Sequence, residues 1–162
     1  NYFFIKKSIN QKKYIDNIRK LNPDVIISSN SLYFGETILN IPNLCCINRH
    51  SALLPSYGGL WPVFQALRYG DKFVGVSIHT MEKRIDKGIV LSQINIKIEH
   101  NDTVANLYEK CFEQSVNALI IALNKIRNDI YTPVFNDYKP SYYTFPDKED
   151  WIEFRKLKCR FI

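Results

Sequence analysis

Three side chains in this 162-residue sequence have the types and spacing to move an acyl group. Asn48 and His50 stand on alternate residues at the end of an apolar run, and Asp86 follows downstream, just before Lys87-Gly88. Acyl transfer to an amine develops negative charge on the acyl oxygen. It therefore needs a donor aimed at that oxygen and a group that takes the amine's proton. Asn48 offers an amide N–H. His50, two residues on along an extended backbone, projects from the same face and offers a second donor, cationic when protonated. Asp86 would hold His50 in its charged form and accept the amine's proton, directly or through water. Each residue also has an ordinary structural role: Asn48 as a turn residue, His50 as a core imidazole on a carbonyl, Asp86 as a turn aspartate. Spacing alone does not choose between these roles.

The elements that must position them follow from the apolar periodicity. Tyr14, Ile18 and Leu21 lie at i, i+4 and i+7 in an amphipathic helix over 11–21, which Asn22-Pro23 stops. Asp24 to Ser29 reads as a buried strand, Asn30 to Gly35 as a loop, and Glu36 to Leu39 as a helical turn. Leu44 to Asn48 is a second strand, ahead of a rigid turn at Leu53-Leu54-Pro55 and Gly58-Gly59. Pro62 opens a helix and Gly70 closes it; Phe73 to Thr80 is a third strand and Ile89 to Ile98 a fourth. Between those strands, Arg84 to Gly88 is a loop. Asn101-Asp102-Thr103 caps a long helix reaching about Asn128, with an apolar stripe through Leu107, Cys111, Ser115, Leu119 and Leu123. Asp147 caps a last short helix carrying Trp151, Phe154 and Leu157. This order is α/β with a mixed sheet. Polar groups at a strand end before a Pro/Gly loop are where such sheets hold ligands.

Composition narrows the class. A hydrophobic content of 46% with 23% charged residues describes one ordinary globular domain, not a disordered chain. No apolar run reaches the roughly 18–20 residues that span a membrane. Four cysteines show no zinc spacing, and a reducing, cytoplasmic setting fits them. Cys46 with His50 would need an exposed thiolate, which an apolar run does not offer. The net charge of +6 is spread over scattered lysines and is only weakly suggestive of an anionic partner.

Asn48-Arg49-His50, Leu53-Leu54-Pro55 and Gly59 together resemble the signature loop of the formyltetrahydrofolate-dependent formyltransferases. Gly75 to His79 and Ile85 to Gln93 resemble that family's next two segments, in the same order. The resemblance covers roughly residues 22–127. It implies a Rossmann-like formyltransferase fold with a mixed, mostly parallel sheet and flanking helices. It also implies that the family's N-terminal strand–helix pairs precede this stretch in a longer protein. Residues 1–130 would form the catalytic domain and 131–162 an aromatic-rich extension. The resemblance implies Asn48, His50 and Asp86 as the catalytic set and 10-formyltetrahydrofolate as formyl donor. Leu53, Leu54 and Pro55 would shape the donor site. Arg84, Ile85, Lys87 and Gly88 would present loop backbone to the folate ring, with Gly88 allowing close approach to the pterin. Tyr33-Phe34-Gly35 corresponds more loosely to an aromatic loop near the folate.

The resemblance implies a primary amine as acceptor, with a phosphate-bearing small molecule expected. Many members, the transfer-RNA enzymes included, carry Arg where this chain has Gly58. Ser141 to Pro146 holds Tyr142 and Tyr143, which could stack on a nucleobase or sugar or pack across the sheet edge. A nucleotide-linked aminosugar is the favoured acceptor, with methionyl-tRNA and glycinamide ribonucleotide as alternatives. A formyltetrahydrofolate hydrolase or a non-catalytic folate-binding module would share the same residues.

Overall fold

β-Branched runs build the sheet. The computed structural model describes residues 4–29 and 32–162. Its elements are α1 (Lys12–Lys20), β1 (Val25–Ser28), α2 (Glu36–Leu39), β2 (Cys45–His50), β3 (Gly58–Gly59), α3 (Pro62–Arg68), β4 (Phe73–Thr80), β5 (Val90–Lys97), α4 (Val104–Arg127), β6 (Tyr142–Tyr143) and α5 (Lys148–Lys156). Among the described residues the main sheet has the order β1-β2-β4-β5. β1 and β2, joined through α2, pair in parallel with Val25 opposite Cys45. β4 runs antiparallel to β2 and to β5, the latter reached by a short loop. β3 and β6 form a separate parallel pair. The fold is the expected mixed α/β architecture, with the parallel part of its main sheet at the β1 edge.

β4 has the expected bounds, while β2 runs on to His50, so His50 is a strand residue. The loop expected from Asn30 to Gly35 begins at two residues that lie outside the described ones. Thr103 caps α4 and Asp147 caps α5, each in a reciprocal capping box. Along α4 the buried stripe is Leu107, Cys111, Ser115, Ala118, Ala122 and Ile126. Leu119 and Leu123, expected in that stripe, sit at its flank and are only partly buried. The reason is steric: Ala118 and Ala122 let the helix axis approach Val76, Ile78 and Leu91 on the sheet. A second core forms where Phe154 of α5 stacks on Phe64 of α3 at 4.6 Å between ring centroids. No helix among the described residues is long and apolar enough to cross a membrane.

Candidate active site

The pleat of β2 puts Asn48 and His50 on one face. Antiparallel pairing sets His79 of β4 directly opposite Asn48, and the two side chains meet at 3.3 Å. Asp86 arrives from the β4–β5 loop with a left-handed backbone (φ 54°), a conformation that non-glycine residues adopt at a cost and that recurs at functional sites. Its Oδ2 accepts the Gly59 N–H at 2.8 Å. Oδ1 lies 3.5 Å from His79 Nε2, and Oδ2 lies 3.9 Å from His50 Nε2. The Asp86 side chain is 7% exposed. The three predicted catalytic side chains therefore share one cleft, of about 220 Å³, together with His79.

Proton positions follow from the partners. His79 Nδ1–H donates to the Thr80 carbonyl at 2.8 Å. Its Nε2 then accepts from the Asn48 amide when neutral, or donates to Asp86 when protonated. His50 Nε2–H donates to the Tyr57 carbonyl at 2.9 Å. Burial would raise the Asp86 carboxyl, but the His79 bond, the His50 charge and the Gly59 N–H overcome it and bring it down to about 2. Burial also dominates at His50, in the other direction. It holds the imidazole below its ordinary value although Asp86 and the Tyr57 carbonyl pull upward. The expectation that Asp86 keeps His50 charged is thus reversed: desolvation of the ring outweighs a carboxylate at 3.9 Å.

The other predicted residues divide. Ile85 lines the cleft, together with Leu60, Tyr142, and Tyr33 and Phe34 from the looser aromatic segment. Arg84 and Lys87 are exposed at the loop surface and do not line it. Leu53, Leu54 and Pro55 do not line it either. Leu54 is buried, its N–H on Ser77 Oγ and its carbonyl accepting from Gln93, so the turn braces the site from behind. Leu53 faces a larger cavity of about 340 Å³ across the loop, which contains none of Asn48, His50 and Asp86. At Gly88 a Cβ would overlap the Thr80 carbonyl of β4, a close approach within the protein itself.

Sequence reasoning missed the Gly59 N–H and the Tyr57 carbonyl, because main-chain groups carry no residue signature. His79 had a visible signal, an alternate-face histidine on a strand, without a partner assigned. Asn48 Oδ1 is buried and has no hydrogen-bond partner among the described residues. That open acceptor valence fits a site that takes a ligand N–H donor, such as the amine of an acceptor.

Comparison with known proteins gives the chain's family. The family model described as Formyl transferase matches residues 3–123. The chain is 40% identical to the bifunctional polymyxin resistance protein ArnA of Wigglesworthia glossinidia brevipalpis over 91% of its own length and 24% of that protein. It is 33% identical to the methionyl-tRNA formyltransferase of Thermotoga neapolitana, over 93% of this chain and 49% of the relative. It thus spans half or less of the length of these relatives. The formyltransferase PseJ of Anoxybacillus kamchatkensis, solved with UDP-4,6-dideoxy-4-formamido-L-AltNAc and tetrahydrofolate, shares the fold. That likeness has a TM-score of 0.66 at 23% identity, over 94% of this chain and 75% of that one. With the matched segment taking in β1 through most of α4, and Asn48, His50 and Asp86 inside it, the chain belongs to the formyl transferase family.

Proposed function

We propose that this chain carries the transfer site of an N-formyltransferase that moves a formyl group from 10-formyltetrahydrofolate to a primary amine on a nucleotide-linked sugar. The observation that carries the reading is an ionised, buried Asp86 held between two histidines, with the Asn48 amide in the same cleft. The folate supplies an activated one-carbon acyl group; the chain's residues handle the charge and the protons. Asn48 meets the negative charge that develops on the acyl oxygen as the amine attacks. Asp86 takes the proton that the amine sheds, directly or through water. His50, neutral at the start and with its Nε2–H on the Tyr57 carbonyl, can take a proton only at Nδ1, from which it can return one to the departing folate nitrogen. One bond forms from amine nitrogen to carbon, one breaks from carbon to folate nitrogen, and the proton count is unchanged. Ile85, with Tyr33 and Phe34, offers apolar wall for the folate. Leu53, Leu54 and Pro55 would act as the brace behind it.

The PseJ complex holds a formylated nucleotide sugar, which supports this acceptor class. Methionyl-tRNA is the second reading, favoured by the 33% identical relative. Tetrahydrofolate release should be followed with no amine, then with nucleotide aminosugars, glycinamide ribonucleotide and methionyl-tRNA. Release that depends on an aminosugar is expected. Release without any amine would make the protein a hydrolase. In the same assay Asp86→Asn should lower turnover by roughly 100-fold or more while folate binding stays measurable. Near-normal turnover would remove Asp86 from the proposed role.

A further inference from the structure

The two tail tyrosines have opposite environments. Tyr143 stacks on Tyr57 at 5.8 Å, lies 6.0 Å from Tyr69, and has the Arg68 guanidinium over its ring. It is an anchor. Tyr142 is 50% exposed and lines the cleft that holds Asp86 and His50. Main-chain bonds fasten it there: Gly58 N–H donates to the Ser141 carbonyl, Leu60 N–H to the Tyr143 carbonyl, and Ser141 N–H to the Pro55 carbonyl.

Its ring lies across the glycine pair of β3. A Cβ at Gly58 would come within 3.2 Å of the ring's Cδ2, and one at Gly59 within 3.1 Å of Cζ. A Cβ at Gly58 would also lie 3.5 Å from the Cβ of Asp86. Any long side chain at position 58 would therefore compete with the Tyr142 ring for one volume beside the proton acceptor. We propose that Tyr142 is the platform for the acceptor's sugar ring, filling with a neutral aromatic face the space that a side chain at position 58 would take.

This rests on the acceptor reading above and sharpens it. The ring lies against the glycine ribbon, and the residue is half exposed and lines the cleft. Whatever touches the ring is next to Asp86, so it must be the part of the acceptor that bears the amine. An arginine there would suit a phosphate. An aromatic face suits the C–H surface of a saturated ring by dispersion and shape, and is indifferent to phosphate charge. Leu60 and Ile85 add apolar surface to the same cleft.

The test uses the full-length protein with 10-formyltetrahydrofolate and two probes, a UDP-linked 4-amino sugar and a dTDP-linked 3-amino sugar. Tyr142→Ala should raise the acceptor KM roughly three- to tenfold, leaving kcat and the folate Kd near wild type. Tyr142→Phe should keep the wild-type KM. Gly58→Arg should lower the melting temperature, and adding Tyr142→Ala to it should restore part of the loss. An unchanged KM in Tyr142→Ala, a Phe variant as impaired as Ala, or a shift in folate Kd instead would each overturn the platform while leaving the acceptor reading intact. If the unmodified protein formylates methionyl-tRNA and neither sugar, the acceptor reading fails and the platform falls with it.

Discussion

Asp86 and His50 are a buried acid and a buried imidazole whose ionisations pull stability in the same direction. The carboxyl sits at about 2, below its ordinary value of 3.8, so the stability it contributes is present above about pH 4 and is lost as pH falls towards 2. The His50 ring is held below its ordinary 6.5, so the unfolded chain takes up that proton first. Its part of the stability is therefore full above 6.5 and declines below it. Thermal unfolding followed across pH should show a midpoint that falls as the buffer is taken from about 7.5 to about 5.5. His50→Gln should make that slope shallower. A steeper slope in the variant would mean that the ring is held charged in the fold, and the proton path through neutral His50 would have to be redrawn.

At the scale of elements, the Asp-bearing loop is positioned by contact with β4. Thr80 Oγ1 accepts the Ile89 N–H at 2.8 Å, and Gly88 lies so close that a Cβ would overlap the Thr80 carbonyl. Gly88→Ala must therefore push the loop off the strand. We expect a loss of about 1–3 kcal/mol in denaturant unfolding, with turnover reduced because Asp86 moves with the loop. Unchanged stability would show that the strand end yields easily. The resemblance suggested a glycine at this place from the needs of the folate; the contact with the protein's own strand is already sufficient reason. Gly75 is similar: a Cβ there would run into the Leu53 side chain and the Ile94 carbonyl.

Over the whole molecule, one arginine adds a side-chain tie between the tail and α3 to the main-chain bonds of β6. Arg68, at the end of α3, is 9% exposed. Its Nη1 contacts Asp150 at 2.7 Å and also Glu153, both on α5, and its Nε donates to Gln65 at 2.7 Å. The guanidinium lies over Tyr69 and Tyr143, so α5, β6 and α3 move together. Arg68→Met should cost about 1–3 kcal/mol, since Glu153 is half exposed and Asp150 only partly buried. Limited proteolysis should then cut within residues 131–162 before the sheet opens, with acceptor KM rising as Tyr142 loosens. Uniform proteolysis of tail and core would show that the clamp serves general stability only.

Residue order by itself determined what depends on neighbours along the chain. The alternation of Val74, Val76 and Ile78 marks β4, and Thr103 and Asp147 mark the starts of α4 and α5, because strand faces and helix caps are set within a few residues. The Asn48, His50 and Asp86 set was also legible, through the resemblance of the segments around it. Tertiary structure alone decided how that set is arranged. Burial, which is a property of the packed molecule, chose a neutral His50 against the attraction of Asp86. The Gly59 N–H reached Asp86 across 27 residues, and Tyr57 was tied to Ser141 across 84. That second tie belongs to the ribbon that set Tyr143 against Tyr57 and Tyr69 and Tyr142 at the cleft. Neighbouring tyrosines look equivalent in a sequence; the pairing of β6 with β3 makes one an anchor and leaves the other facing the site.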